Sequence, residues 1–230
     1  MVAAAVDLLQ GSRCVGCERP GPVLCPSCRG VVRAEPRPCL WHPPPASLAA
    51  SGAVVWAGAD YAGVWSRMIV AYKERGRTGL AVPLGQVLAE VVAAAASGAG
   101  SGELELVPVP STRASSRRRG RDPVAGLASA AARHLRSHGA ACRVAHRLSH
   151  RRSVRDQAGL TAAERSQNLR GALTATAGGT ARGQPPARVR VVVDDVLTTG
   201  ATVDEAVRAL VSAGWPVAAV AAVAATPRRG

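Results

Sequence analysis

The chain has 230 residues, 47% of them hydrophobic, and 29 basic against 15 acidic side chains give it a net charge of +14. This length and composition exclude a disordered chain and leave room for one full domain with a small accessory module. Aromatic residues make up only 3% and phenylalanine is absent, which argues against a single-strand binder that stacks bases on exposed rings.

The positive charge has two explanations. It suits a polyanionic partner, either nucleic acid or a phosphorylated small molecule. However, nearly all of it is arginine, with Lys73 as the only lysine, and alanine is abundant, so a bias in genome composition explains it equally well. The net charge alone therefore does not establish a partner.

The first residues, MVAAAVDLLQG, have no basic segment and carry Asp7 within their apolar stretch. We therefore expect no signal peptide. No apolar run approaches the roughly 18 residues that a membrane-spanning helix needs. The sequence predicts a cytoplasmic protein without membrane insertion.

Two closely spaced cysteine pairs follow, and each has two residues between its cysteines. In a cytosolic protein such clustering favours a metal over disulfides. Four thiolates at this spacing suit a structural zinc ion with tetrahedral coordination. The predicted ligands are Cys14, Cys17, Cys25 and Cys28.

The other cysteines are less clearly assigned. Cys39 and His42 resemble half of another site, and they either supply a replacement ligand or are the remnant of a third pair. Cys142, alone in a predicted strand, is expected to be a buried core thiol. Pro43, Pro44 and Pro45 predict a stiff spacer. We therefore predict a zinc-binding module with a proline-rich linker over residues 1–45 and one larger domain over 46–230.

Strands and helices alternate in the larger domain. Apolar runs predict strands over 53–62, 104–109, 142–148, the valine run before Asp194, and 217–224. Apolar residues at helical spacing predict helices within 64–72, 84–92, 124–135 and 203–211. Strand, helix and strand at the C-terminus form a βαβ unit, so the sequence predicts an α/β fold with a parallel sheet.

Two of these helices carry start signals. Asp122 and Pro123 form an N-cap followed by a proline at the first helical position. Thr202 and Glu205 fit a capping box at the start of the last helix, and Gly214 is expected to end it.

The stretch VRVVVDDVLTTGAT combines an acidic pair with an anion site. Asp194 and Asp195 are expected where the valine strand ends, the usual position of ligands in open α/β sheets. The residues after them present backbone N–H groups, hydroxyls and a helix N-terminus, which suit a phosphate. The carboxylates would accept hydrogen bonds from sugar hydroxyls or hold a divalent cation, so the pattern indicates a sugar phosphate.

VVVDDVLTTGAT resembles the phosphoribosyl pyrophosphate signature of type I phosphoribosyltransferases. Together with VPVPSTRASSRRRGRDP, QAGLTAAERSQNLRGAL and the cysteine pairs, it makes residues 14–225 similar to the ComF family of competence-associated proteins. The chain departs from the R-G-F-N of such proteins at Arg119, Gly120, Arg121 and Asp122. The resemblance implies a type I phosphoribosyltransferase-like parallel sheet with helices on both faces, preceded by a small zinc module.

The resemblance also assigns roles to residues. Asp194 and Asp195 would be catalytic and meet the ribose hydroxyls. The 5′-phosphate would be held by Thr198, Thr199, Gly200, Ala201 and Thr202. Residues 107–112, including Pro108, Val109 and Pro110, would form the pyrophosphate loop. Residues 149–170 would form a hood whose arginines, Arg165 among them, neutralise the leaving pyrophosphate.

Two functions follow from the resemblance. The first is an enzyme that uses Mg²⁺ and transfers ribose 5-phosphate from phosphoribosyl pyrophosphate to an unidentified acceptor, in connection with DNA uptake. The second is a non-catalytic adaptor that binds single-stranded DNA and DNA-uptake proteins. Its contacts would be the zinc module and Arg113, Arg117, Arg118, Arg119 and Arg121.

The remaining polar residues predict little function. Lys73, at a helix end, is expected to be a solvated cap. His134 and His138 lie one helical turn apart, which alone is weak evidence for a metal site. We expect His146 and His150 to face solvent or to form local hydrogen bonds.

Overall fold

The computed structural model describes residues 13–111, 120–151, 169–177 and 188–227. Within them the helices are α1 (Pro26–Val31), α2 (Ala46–Ser51), α3 (Gly63–Lys73), α4 (Ala81–Ala96), α5 (Pro123–Ser137) and α6 (Ala201–Ser212). The strands are β1 (Arg37–Pro38), β2 (Val54–Ala57), β3 (Glu103–Pro108), β4 (Cys142–Val144), β5 (Leu148–His150), β6 (Leu173–Ala175), β7 (Arg188–Leu197) and β8 (Ala219–Ala225).

Six strands form one sheet in the order β1–β2–β8–β7–β3–β4. Every neighbouring pair is parallel except β1 with β2. Strands β5 and β6 form a separate antiparallel pair. Because α6 connects the parallel neighbours β7 and β8, the predicted βαβ unit and the α/β class are confirmed.

Helices cover both faces of this sheet. Side chains of α3, α4 and α5 form one apolar core with the first face, and side chains of α2 and α6 form a second core with the other. The stretch Thr78–Ala96, which contains α4, is a helix long and apolar enough to cross a membrane, with a mean hydropathy of 1.6. The sequence-based expectation that no apolar run approaches this length was wrong, but 61% of the stretch is buried inside the protein.

Several predicted boundaries shift. Strand β2 ends at Ala57, and the segment predicted as one strand over 142–148 yields only β4 before β5 begins at Leu148. Strand β7 continues to Leu197 because β8 pairs with it beyond the point where β3 ends, so the two aspartates lie inside the strand. The helix starting at Pro123 is confirmed, with Asp122 accepting hydrogen bonds from the N–H groups of Val124 and Ala125.

The predicted capping box at the start of α6 was wrong. The N-cap residue is Gly200, and no side chain caps the helix. Asp204 instead accepts hydrogen bonds from the N–H groups of Ser47 and Leu48 at 2.7 and 2.9 Å, which fastens α2 to α6. Glu205 accepts one from the Leu173 N–H at 3.0 Å, so tertiary partners engage both carboxylates.

A buried carboxylate crosslinks β3, β4 and β7. Glu105 is fully buried and accepts hydrogen bonds from Arg143, Arg147 and Arg190. Burial raises the pKa of Glu105, but the three guanidinium groups outweigh it and hold this pKa far below its usual range. The guanidinium groups of Arg147 and Arg190 also lie 3.7 and 4.7 Å from the ring centre of Trp215.

The N-terminal segment packs on the rest of the protein. Cys14 and Leu24 are buried in the core that contains α3, α4 and α5, and β1 extends the main sheet. Arg67 of α3 donates hydrogen bonds to the carbonyl oxygens of Val15 at 3.1 Å and Gly16 at 3.0 Å. The domain boundary between residues 45 and 46 stays a prediction.

Candidate functional site

The four predicted metal ligands lie together. The sulfur atoms of Cys14, Cys17, Cys25 and Cys28 are all within 4.8 Å of one another. The Cys17 and Cys25 sulfurs are 3.7 Å apart. Tetrahedral zinc with Zn–S bonds of about 2.3 Å would separate its sulfurs by roughly 3.8 Å, so the cluster fits a metal ion such as zinc.

Backbone N–H groups support this cluster. Cys25 N donates to the Cys14 sulfur at 3.3 Å, and Cys28 N donates to the Cys25 sulfur at 3.5 Å. Burial raises the pKa of Cys14, but backbone hydrogen bonds from Cys25, Cys17 and Gly16 outweigh it and lower the pKa to about 6. Thiolate is the form that binds metal, so these hydrogen bonds favour coordination through Cys14. The hydrogen bond with the Cys25 side chain and burial instead raise the pKa of Cys28 to about 12, so a bound metal ion would have to displace the Cys28 proton.

Gly16 fits the same cluster closely. A Cβ atom at this position would lie 2.6 Å from the Cys28 sulfur and 2.9 Å from its Cβ. The backbone between the first two cysteines therefore approaches the fourth ligand at a distance that only glycine permits.

Cys39 does not join this cluster. It packs against the core formed with α6, whereas Cys25 and Cys28 pack against the core of the opposite face. Among the described residues, the cluster of Cys14, Cys17, Cys25 and Cys28 is the only group of three or more potential metal ligands, so His134 and His138 form none with a third partner. Cys142 is buried, as predicted.

The acidic pair lies near the carboxyl end of β7. Asp194 and Asp195 are only 8% and 2% exposed. The Oδ1 atom of Asp194 accepts a hydrogen bond from the Asp195 N–H at 2.8 Å. Burial and the neighbouring carboxylate raise the pKa of Asp194 well above its usual range, against the opposing charge of Lys73.

Lys73 contacts this pair, which the sequence did not predict. Its Nζ atom lies 2.8 Å from Oδ2 of Asp195 and donates a hydrogen bond to Oδ1 at 3.1 Å. Oδ2 itself is buried, so Lys73 engages both carboxylate oxygens of Asp195. The prediction of a solvated helix cap was wrong because this contact links residues 122 positions apart in the sequence.

The predicted phosphate turn follows directly. Gly200 adopts a left-handed backbone with φ of 80° and precedes the first residue of α6. The N–H group of Ala201 donates to the Thr199 hydroxyl at 3.4 Å. The turn thus leads into the N-terminus of a 12-residue helix, whose dipole favours an anion.

The predicted pyrophosphate loop lies beside this turn. Strand β3 pairs with β7 as far as Pro108, and the N–H group of Val109 donates to the Val193 carbonyl at 3.0 Å. The loop is fastened at its other end, where Asp122 accepts hydrogen bonds from the N–H at 2.9 Å and the hydroxyl at 3.2 Å of Ser111.

These elements line one pocket of about 450 Å³. Its polar lining comes from Tyr61, Lys73, Glu74, Ser111, His150, Asp194, Asp195, Thr198 and Thr202. Val109 and Pro110 contribute from the loop. Four predicted ligand-binding residues do not line the pocket: Pro108, Thr199, Gly200 and Ala201. The acidic pair, the turn and the loop therefore share a cavity of the size that small-molecule ligands occupy.

His150 is a second lining residue, and the expectation that it faces solvent or forms local hydrogen bonds was wrong. Its Nε2 atom lies 3.1 Å from the carbonyl oxygen of Pro110, so it joins β5 to the loop. Its Nδ1 atom is buried and has no hydrogen-bond partner in the described part of the chain. His146 is exposed, as expected.

The basic segments are described only in part. Arg165 and most of the predicted hood lie in residues 152–168, outside the described residues. The basic loop residues 112–119 are also outside them, and they include Arg113, Arg117, Arg118 and Arg119. Arg121 is described; it donates to the Tyr72 carbonyl, and its guanidinium lies 4.5 Å from the centre of the Tyr72 ring. These contacts point to an internal packing role for Arg121.

No protein-family model matches the chain, and no curated protein shows significant similarity to it.

Proposed function

We propose that the protein is a phosphoribosyltransferase of the ComF type that binds phosphoribosyl pyrophosphate with Mg²⁺ in this pocket. The observation that carries the proposal is the pocket shared by Asp194, Asp195 and the two end residues of the turn, Thr198 and Thr202. Two buried carboxylates beside an anion-binding helix terminus suit a ligand with hydroxyls at one end and a phosphate at the other.

The pocket accounts for each part of the donor. The ribose hydroxyls would donate to the carboxylates of Asp194 and Asp195, which line the pocket. The 5′-phosphate would accept hydrogen bonds from the turn at the start of α6, where the helix dipole favours it. The pyrophosphate would extend toward Val109, Pro110 and Ser111, which line the same cavity.

The reaction would be a substitution at the ribose C1 atom. The bond from C1 to the pyrophosphate oxygen breaks, pyrophosphate leaves with its bonding electrons, and the acceptor forms a bond to C1 and loses a proton. Bound Mg²⁺ would neutralise charge on the pyrophosphate. The protein would hold the ribose by its hydroxyls and phosphate and exclude water, with no covalent intermediate.

The cysteine cluster would bind a structural zinc ion. All of its coordination positions would be filled by Cys14, Cys17, Cys25 and Cys28, which leaves none for a substrate. A cluster fastened to α3 by Arg67 would serve to hold the N-terminal segment on the larger domain.

Turnover tests the enzymatic part of this proposal. Pyrophosphate release from phosphoribosyl pyrophosphate with Mg²⁺ would be measured against nucleobases, amines and single-stranded DNA as acceptors. Acceptor-dependent release that Asp195→Asn abolishes would support the enzyme. Binding of the donor without release from any acceptor would instead indicate a ligand-binding adaptor, and DNA affinity that falls steeply with salt would favour the adaptor.

A further inference from the structure

Lys73 supplies the one ammonium group in the described lining of the candidate pocket. The lining also carries the carboxylates of Glu74, Asp194 and Asp195 and contains no arginine among the described residues. A phosphorylated sugar entering such a pocket needs a positive charge close to the acidic pair. Lys73 is the described side chain that provides it.

The contact of Lys73 with Asp195 differs from an ordinary surface ion pair. The Asp195 side chain is only 3% exposed and that of Lys73 is 35% exposed. Burial lowers the pKa of Lys73, but attraction to Asp195 and Asp194 outweighs it and raises this pKa above its usual range. The ammonium group is therefore charged at neutral pH and is held at the pocket wall.

The ammonium group also has donors to spare. It carries three N–H donors, and its partners among the described residues are Asp195 Oδ1, through a hydrogen bond, and Oδ2, in contact at 2.8 Å. Because Lys73 and Asp195 both line the cavity, a ligand oxygen beside Asp195 would be within reach of a remaining N–H group.

We propose that Lys73 is the resident cation of the ribose subsite, so that the ribose 5-phosphate part of the donor binds without a divalent ion. This inference rests on the proposed function of the pocket. Lys73 acts here as a positioning residue: it balances the charge of the acidic pair and keeps Asp195 directed at the ribose hydroxyls. Mg²⁺ would then be required only for the pyrophosphate part of the donor.

The plainer alternative is that Lys73 only fastens the end of α3 to β7. Its loss would then lower stability without changing how binding depends on Mg²⁺. The two roles are separated by the response of ligand affinity to the metal, which a purely structural contact does not affect.

Calorimetry with ribose 5-phosphate, which has no pyrophosphate, tests the inference on the full chain. The dissociation constant of the unaltered protein should change by less than about threefold between EDTA and excess Mg²⁺, a difference of well under one power of ten. Lys73→Met should weaken ribose 5-phosphate binding in EDTA by about tenfold or more, because the ligand loses a charged hydrogen-bond partner. Excess Mg²⁺ should restore part of the lost affinity. Lys73→Arg should retain most of the affinity.

Arg75→Met is the matched control. It removes one positive charge just beyond α3, but Arg75 lines a neighbouring cleft and not this pocket, so ribose 5-phosphate affinity should not change. If Lys73→Met does not fold, the inference is tested by the dissociation constants of ribose 5-phosphate for the unaltered protein in EDTA and in Mg²⁺.

Several results would overturn the inference. They are a strict Mg²⁺ requirement for ribose 5-phosphate in the unaltered protein, equal affinity in Lys73→Met, and no ribose 5-phosphate binding in either buffer. If phosphoribosyl pyrophosphate with Mg²⁺ still binds in those cases, the proposed function stands and only the role of Lys73 is wrong. If neither compound binds, the proposed function fails as well.

Discussion

The ring of Trp41 lies directly against Gly200. A Cβ atom on residue 200 would fall 2.9 Å from ring atoms Cε2 and Cζ2 and 3.2 Å from Cγ of Pro45. The segment that the sequence suggested as a spacer therefore packs on the turn proposed to hold the phosphate. Together with the hydrogen bonds from Ser47 and Leu48 to Asp204, this contact fixes the start of α6 from outside the pocket.

Gly200→Ala should destabilise the protein and weaken ligand binding, because the new methyl group meets Trp41 in a left-handed backbone. We expect the free energy of unfolding to fall by about 2–5 kcal/mol, which sums roughly 1–2 kcal/mol of backbone strain and 1–3 kcal/mol of overpacking. Urea unfolding would measure it. Gly214→Ala is the control, since Gly214 has φ of 82° but nothing within 4 Å of an added Cβ, so only the strain remains. Equal losses in both variants would contradict the packing role of Trp41.

Zinc content should depend on Cys25 and not on Cys39. We expect one zinc ion per chain by elemental analysis, strongly reduced by Cys25→Ser because a hydroxyl replaces one of the ligand thiolates. Gly16→Ala should also reduce it, since the added methyl would crowd the Cys28 sulfur. Cys39→Ser should leave it unchanged, and loss of zinc in that variant would revive the alternative ligand set. Unchanged zinc in Cys25→Ser would exclude the four-cysteine site.

Arg67 should hold the cysteine cluster on α3. Arg67→Met removes the hydrogen bonds to the carbonyls of Val15 and Gly16, so a chelator should extract the metal faster and stability should fall by about 1 kcal/mol. Arg75→Met serves as the control, since the structure gives its side chain no hydrogen bond or ion pair within the described residues. Extraction at the same rate in both variants would refute the fastening role.

The buried Glu105 makes stability depend on acid pH. Its folded pKa is lowered, so its stabilisation is present above the unfolded value of about 4.3 and is lost as pH falls from there toward the folded pKa. Glu105→Gln should cost about 3–5 kcal/mol at pH 7, because three guanidinium groups lose their counter-charge. Urea unfolding should show that the difference in unfolding free energy between the unaltered protein and Glu105→Gln becomes smaller below pH ~4.

Glu103→Gln is the matched control for Glu105. Glu103 accepts a hydrogen bond from Arg188 at 2.8 Å, but its side chain is 27% exposed, so its loss should cost only about 1 kcal/mol or less. If the difference in unfolding free energy between the unaltered protein and Glu105→Gln stays constant from pH 7 to pH 3, Glu105 is not the group that titrates.

Local patterns predicted the fold well where neighbouring residues determine structure. The apolar spacing in 64–72 and 203–211 located α3 and α6, and Asp122 with Pro123 located the start of α5. Val211, the last apolar residue of that spacing, is nevertheless 48% exposed at the end of α6. The capping box failed because Asp204 and Glu205 are bound by distant segments, which a local motif does not reveal.

The same limit applies to the candidate site. The acidic pair, the turn and the loop could be identified from motifs within single segments, and so could the cysteine cluster. Lys73 and His150 could not, because each reaches the pocket through a contact that only the sheet order creates. The signal available for Lys73 was its status as the only lysine in an arginine-rich chain.

Calorimetric titration of phosphoribosyl pyrophosphate with Mg²⁺ into the zinc-loaded protein tests the central claim most directly. Saturable binding of one ligand per chain is expected, and Asp194→Asn should weaken it by at least about tenfold, because an amide NH₂ group replaces one of the two acceptor oxygens offered to the ribose hydroxyls. Because burial and Asp195 already disfavour the charged form of Asp194, this variant should fold with unchanged or higher stability. Failure of the unaltered protein to bind, or unchanged affinity in the folded Asp194→Asn variant, would contradict the proposed site.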